Sequence, residues 1–320
     1  MKLFFKPWFS GELKRLARRN AIEGKSSRGN DAPLSVLEDA VFKAMLTSDT
    51  EDSREALRLL LSACIRREIS AVRVVNNELL PAHLAAKSAR LDVNVTFNNG
   101  EVADLEMQIG KSDDDLKTRS ALYTAMLLSA QSKRGKPYTE IKRVYQIFFL
   151  NCVLFPYSGK LPRRYSYREE TEGDRLTEAV EIIFYELPKL EFWVRDYLAG
   201  KAGTENLSND EKWCIFMKYR HEKRAESLIR ELCRKEEGIM KAERSLAKVD
   251  RDYVKFVRNM NIMKNSMDRA SFLYNGGKAE GKAEANLEIA RKMKNAGLSS
   301  SEIEEFTGLS SDAIGKITSP

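Results

Sequence analysis

The sequence predicts a mixed α/β core over residues 34–195, followed by a helical and heavily charged remainder. Three observations carry that expectation. LDVNVTFNNGEVADLEMQ (91–108) alternates apolar and polar residues on both sides of a glycine turn, the pattern of a half-buried hairpin. RVYQIFFLNCVLF (143–155) is an almost unbroken apolar run rich in β-formers, the mark of a strand buried on both faces. From about residue 191 onward the pattern is helical, with no strand candidate.

Taken in order, residues 1–33 form a basic arm. Residues 1–30 hold eight Lys or Arg against Glu12 and Glu23, a balance of +6 in a chain whose net charge is +7. Such an arm suits a polyanion such as nucleic acid, and a solvated tail fits the same composition. After the break GKSSRGNDAP (24–33), Ser35-Val36-Leu37-Glu38 reads as a capping box opening a first helix, with Leu37, Val41, Ala44 and Met45 as its apolar stripe. A second helix over about 53–68 carries Ala56, Leu59, Leu60 and Ala63. AVRVVN (71–76) reads as a strand, and a loop containing Pro81 leads to the hairpin.

Ser112-Asp113-Asp114-Asp115 caps a helix running to about Gln131, ended by Gly135 and Pro137. AVEIIFYELPKL (179–190) supplies a further strand with a proline stop. Residues 196–275 read as a helical region and 276–320 as a tail, with a GKAEGKAE repeat, a helix through Glu288 to Lys294 and two short helices around Thr307-Gly308-Leu309. Those two resemble a helix-turn-helix in outline. The tail holds six Lys or Arg against seven acids, so oligomerisation or packing is expected there ahead of DNA contact.

Composition excludes several classes. No run of about 18 apolar residues exists, so no membrane span is expected, and the apolar stretch near the N-terminus is too short for a signal peptide. Cys64, Cys152, Cys214 and Cys233 form no CxxC pair, which points away from zinc knuckles and disulfide frameworks and towards a reducing, cytoplasmic compartment. With only His83 and His221, histidine-rich metal sites are out. Hydrolytic chemistry in this chain would run on carboxylates and a metal.

The hairpin supplies the carboxylates. Asn98-Asn99-Gly100 reads as a three-residue loop with glycine at the left-handed position, so Phe97 faces Glu101, Val95 faces Ala103, Val93 faces Leu105 and Leu91 faces Met107. Asp92 then lies directly across from Glu106. A register one residue away would mix the two faces. Opposed side chains sit roughly 4.5–5.5 Å apart at Cβ, where like charges repel and a divalent cation or a shared proton is invited. A strand acid, a Glu-x-Gln on the next strand and a following helix make a metal-nuclease arrangement: Asp92 and Glu106 as ligands, the Met107 backbone carbonyl between, and Gln108 placed to hold a water. Acids also alternate on ordinary solvent-facing strands, and the residues alone leave both readings open.

KSARLDVNVTFNNGEVADLEMQ and RSALYTAMLLSAQSKRGKPYTEIKRVYQIFFL resemble the Rpn family of recombination-promoting nucleases and transposases, within the PD-(D/E)XK superfamily. The resemblance extends upstream to Asp39-Ala-Val-Phe42-Lys43, downstream to Glu186-Leu-Pro-Lys189, and into EIARKMKNAGLSSSEIEEFTGLS. It implies a restriction-endonuclease-like mixed β-sheet core flanked by helices, with a helical C-terminal region. It further implies a Mg²⁺-dependent DNA endonuclease, with Mn²⁺ as a substitute. Asp92 and Glu106 would be metal ligands, Gln108 would stand where the superfamily uses lysine, and Asp39 would be an auxiliary acid. Arg119 and Tyr123, four apart on one helix face, would sit beside the site, and Lys87 would reach the DNA backbone. Glutamine cannot offer lysine's charge, so the alternative is a catalytically weak DNA-binding or regulatory protein that keeps the fold. A ribonuclease-H-type transposase fits poorly, because its acids should be spread far more widely than the 14 residues here.

Overall fold

The computed structural model describes residues 34–75, 78–79, 89–90, 92–109, 114–252, 254, 290–291, 294 and 299–315. The basic arm, the Pro81 loop, Lys87, Ser112 and most of 255–298 lie outside the described residues. The chain divides into two units, Met1–Asp250 and Arg251–Pro320.

In the first unit the described elements are α1 (Asp39–Thr47), α2 (Glu51–Ile65), β1 (Val72–Val74), β2 (Glu78–Leu79), β3 (Ala89–Arg90), β4 (Val93–Phe97), β5 (Glu101–Gln108) and α3 (Asp114–Ser129). They continue with β6 (Val144–Leu150), β7 (Arg163–Tyr165), β8 (Val180–Glu186), α4 (Glu191–Leu198), α5 (Asn209–Tyr219), α6 (Glu226–Lys235) and α7 (Glu237–Ala247). Six strands form one sheet in the order β1-β4-β5-β6-β8-β7, and β2 and β3 pair separately. β4 and β5 are antiparallel, whereas β5, β6 and β8 run parallel. Parallel neighbours need a long crossover, which α3 supplies between β5 and β6.

Every residue of β6 is buried, as its unbroken apolar run predicts for a central strand covered on both faces. One face presents Ala103, Leu105, Met107, Ile147, Phe149 and Tyr185 towards α1, where the Phe42 and Phe149 rings meet at 5.9 Å. The other lies under α3, whose Leu116 packs with Phe148, Leu150 and Phe184 and whose Leu127 packs with Val144. Stacked pairs continue the packing into β8: Phe148 with Phe184 at 5.1 Å and Phe149 with Tyr185 at 5.2 Å. Truncating any of these buried phenylalanines to alanine would cost about 3–5 kcal/mol.

Two local expectations are corrected. The Ser35–Glu38 capping box does not form, because residues 36–38 make a turn and α1 starts after it at Asp39. The Ser35 hydroxyl lies 3.4 Å from His221 Nδ1, and no side chain caps α1. β7 was not expected, since Arg163-Arg164-Tyr165 has no apolar alternation. It pairs with β8 at the sheet edge, and Arg164 Nη1 reaches Glu181 Oε1 at 2.7 Å.

The helices after residue 196 join the core. α7 packs along α2, and Ser245 Oγ donates to the Met45 carbonyl at 2.8 Å in a buried contact. Gly238 permits that approach: a Cβ there would lie 2.8 Å from Trp213 and 2.9 Å from Leu59. In the second unit α8 (Ser300–Thr307) and α9 (Ser311–Gly315) flank Gly308 at φ +68°, with Ala290, Ile303 and Ile314 forming a small core. Among the described residues no helix is long and apolar enough to cross a membrane.

Candidate active site

The site is built on the β4–β5 hairpin. Gly100 takes φ +92° and Asn98 φ +45°, and the Gly100 N–H donates to the Phe97 carbonyl at 3.0 Å. Left-handed backbone at those two positions closes the three-residue loop without strain on a Cβ at the glycine. The pairing that follows is Phe97 with Glu101, Val95 with Ala103 and Val93 with Leu105, as the alternation predicts. One consequence is that Asp92, Asn94, Asp104 and Glu106 share the polar side of the hairpin, and all four are buried.

Regular pairing between β4 and β5 ends at Val93, and the two acids complete it with their side chains. The Asp92 N–H donates to Glu106 Oε1 at 3.0 Å, and the Met107 N–H donates to Asp92 Oδ2 at 3.1 Å. Gln108 Nε2 donates to Glu106 Oε2 at 3.1 Å, so the third member of the Glu-x-Gln triplet orients the first. Backbone donors hold both carboxylates in place.

A third acid lies on the same face. Asp104 is fully buried and accepts a hydrogen bond from Gln146 Nε2 of β6. Among the described residues Asp104 Oδ1 and Gln146 Oε1 have no hydrogen-bond partner. On α3 the buried hydroxyls bond within their own helix: Ser120 Oγ donates to the Lys117 carbonyl and Thr124 Oγ1 to the Ser120 carbonyl, each at 2.7 Å. Burial, more than any neighbour, raises the Asp92 carboxyl to about 6, with Asp39 adding and Lys43 opposing. Burial likewise takes Asp104 to about 7, against its Gln146 hydrogen bond. Glu106 is pushed well above the usual carboxylate range by burial and then by the Asp104 and Asp92 charges. The cluster has more negative charge than its surroundings solvate, which favours a shared proton or a cation.

Asp39 reaches this cluster through a lysine. Lys43 Nζ lies 2.9 Å from Asp39 Oδ1, one turn earlier on α1, and 3.0 Å from Asp92 Oδ1. Burial alone would lower the Lys43 ammonium; the Asp92 and Asp39 carboxylates reverse that and raise it. Arg119 and Tyr123 share one face of α3 as their spacing predicts, with the guanidinium 5.9 Å from the ring centroid. The Tyr123 hydroxyl is raised by burial, with Arg119 opposing and the Glu106, Asp104 and Asp92 charges adding. Glu186 has a structural part: Oε1 accepts the Leu154 and Phe155 N–H groups at 2.7 and 2.8 Å, and Lys189 pairs with Oε2.

Sequence reasoning passed over Asp104 and assigned no role to Lys43. Asp104 was legible as the residue two before Glu106 on the same face, and Gln146 as the one polar residue in the β6 run. Lys43 had only its i, i+4 spacing from Asp39 as a signal.

Among the described residues no group of three or more His, Cys, Asp or Glu side chains is spaced to hold a metal ion. The donor chemistry of Asp92 and Glu106 fits a hard divalent cation all the same, since the pair offers only oxygens and its charge is under-compensated. Each carboxylate oxygen has a second lone pair beyond the donor it already accepts.

A mixed six-stranded sheet flanked by helices, with acids gathered on its hairpin strands, is the PD-(D/E)XK restriction-endonuclease-like α/β fold. The family model for PD-(D/E)XK nuclease family transposases matches residues 36–276, and the chain belongs to that family. No curated protein and no solved structure gave a significant match to the chain.

Proposed function

We propose that the protein is a divalent-cation-dependent DNA endonuclease acting in recombination or transposition-like events, with Asp92, Glu106 and Gln108 as its catalytic centre and Asp39 as an auxiliary acid. The supporting observation is the clasp in which Asp92 and Glu106 each take a backbone N–H from the other's strand, which presets two carboxylates before substrate arrives. Family membership makes DNA the expected substrate.

Asp92, Glu106 and the Met107 carbonyl would hold Mg²⁺ or Mn²⁺, which when bound supplies Lewis-acid polarisation of a phosphate oxygen. Gln108 has a divided role: its amide steadies Glu106, and its carbonyl oxygen accepts from the attacking water. Hydrolysis forms one bond from the water oxygen to phosphorus and breaks the bond to the leaving sugar oxygen. The water gives up a proton and the leaving oxygen takes one from solvent, so the chain ends unchanged. Arg119, beside Tyr123, and Lys87 would contact the DNA backbone, as would the basic arm of residues 1–33. The C-terminal helices would serve a homo-oligomer, and the cytoplasm is the expected compartment.

One observation favours the second reading, a catalytically weak DNA-binding or regulatory protein. The Gln108 amide is committed to Glu106 and carries no charge towards a phosphate. Incubating supercoiled plasmid with Mg²⁺, with Mn²⁺ and with chelator, for wild type beside Asp92→Asn, decides between the two. Metal-dependent nicking lost in the variant supports the nuclease. DNA binding without nicking by wild type supports the alternative.

A further inference from the structure

We propose that Lys43 supplies, from α1, the active-site cation that Gln108 does not provide, and that its ammonium contacts the scissile phosphate. This rests on the nuclease reading above. Gln108 stands at the third position of the strand triplet and donates to Glu106, so no positive charge enters the site from β5. The structure brings one in from the opposite side. Lys43 Nζ is 3.0 Å from Asp92 Oδ1 and 2.9 Å from Asp39 Oδ1.

Donor counting gives the ammonium a spare hydrogen. A lysine has three N–H donors, and the two ion pairs with Asp39 and Asp92 engage at most two of them, which leaves a donor for a phosphate oxygen. The side chain is 28% exposed, so that donor can meet solvent or substrate, whereas Asp92 beside it is only 12% exposed. The mounting is firm. α1 packs on β4 and β5, its Phe42 and Met45 are fully buried, and Asp92 Oδ2 is tied to the Met107 N–H. Asp39 precedes Lys43 by one helical turn, the acid-first order that favours such a pair. Asp39 thereby acts as a positioning residue, holding the ammonium against Asp92.

Other cations around the sheet are differently engaged. Lys189 is paired with Glu186, and Arg119, over the Tyr123 ring on α3, is assigned above to the DNA backbone. A lysine on the first helix, in contact with the strand acid, carries the charge to the same carboxylate cluster by another route.

Relocating the charge tests this. Wild type, Lys43→Gln, and the double variant Lys43→Gln with Gln108→Lys are compared for plasmid cleavage at saturating Mg²⁺. Mg²⁺ affinity is measured by calorimetry without DNA, and melting curves verify the fold. Losing a charge-stabilising group costs about 100-fold or more in rate, so Lys43→Gln should fall by that much. Its Mg²⁺ affinity should be unchanged or tighter, because a competing cation has gone. The double variant should recover at least about tenfold, since a strand lysine restores the charge.

Cleavage by Lys43→Gln within about threefold of wild type overturns the proposal, as does a loss that Gln108→Lys fails to relieve or one that tracks weakened Mg²⁺ binding. Should Lys43→Gln not fold, the same comparison is made with Lys43→Met in its place, which keeps the aliphatic stem packed and removes only the charge. Wild type that cleaves nothing with any divalent cation overturns the nuclease reading and this one with it. Active wild type with an equally active Lys43→Gln overturns this one alone.

Discussion

Asp92 and Glu106 are joined by a backbone-to-carboxylate hydrogen bond, Asp92 N–H to Glu106 Oε1 at 3.0 Å, where the ladder of the hairpin would otherwise fray. Two acids that ought to repel therefore do a structural task beside the chemical one proposed for them, and the predictions separate the two.

Asp92→Asn and Glu106→Gln each keep an oxygen able to accept the Met107 or Asp92 N–H, while removing a charge from a buried cluster. Metal-dependent cleavage should disappear in both. Thermal melts without metal should show wild-type stability or a slight gain. Cutting at the wild-type rate by either variant would falsify the assignment, and marked destabilisation would point to a structural role alone.

Gln108→Ala removes the donor that orients Glu106, so activity should fall at every Mg²⁺ concentration. Gln108→Lys places a cation beside Glu106, where it competes with the metal; the variant should stay active at saturating Mg²⁺ but need more metal to get there. Rate against Mg²⁺ concentration for the three proteins is the measurement. If Gln108→Ala matches wild type throughout, Gln108 is only a polar strand residue.

At Gly100 the backbone is left-handed and a Cβ would meet only Lys142 Cγ at 3.7 Å, an ordinary contact. Gly100→Ala should therefore cost about 1–2 kcal/mol from the dihedral alone, and Gly100→Asn less. Denaturant melts of the two variants give the difference, and equal stabilities would show that the loop does not depend on the glycine.

Glu231 ties three elements together, accepting from Tyr197, Thr204 and Lys235. Those hydrogen bonds, led by Lys235, hold its carboxyl down at about 2, below the ordinary value of 4.5. A depressed folded value means stability present above about 4.5 and lost as pH falls towards 2. The melting-temperature gap between wild type and Glu231→Gln should be full at pH 6 and close across that window. A gap that stays constant down to pH 2 contradicts it.

Period-two alternation settles which hairpin residues share a face, because a one-residue slip would turn every side chain over. It follows that Asp92 and Glu106 were legible from the chain, and so was the left-handed Gly100 that sets their register. The unbroken apolar run of 143–155 likewise announced a central strand. β7 was not legible, since three residues of Arg-Arg-Tyr take strand form only through their pairing with β8 and with Glu181. Ser35–Glu38 had the letters of a capping box, and the turn at 36–38 took its place.

The sequence by itself determined the hairpin, its register and the polar face that carries the acids, because these follow from side-chain alternation along one local stretch. Only the tertiary structure decided how those acids are compensated. Gln146 reaches Asp104 from a parallel strand 42 residues away in the chain, and Lys43 reaches Asp92 from a helix packed on the sheet. Charge interactions fall off with distance in space and are indifferent to distance in sequence, so the partners of a buried acid emerge only when the sheet and its helices come together.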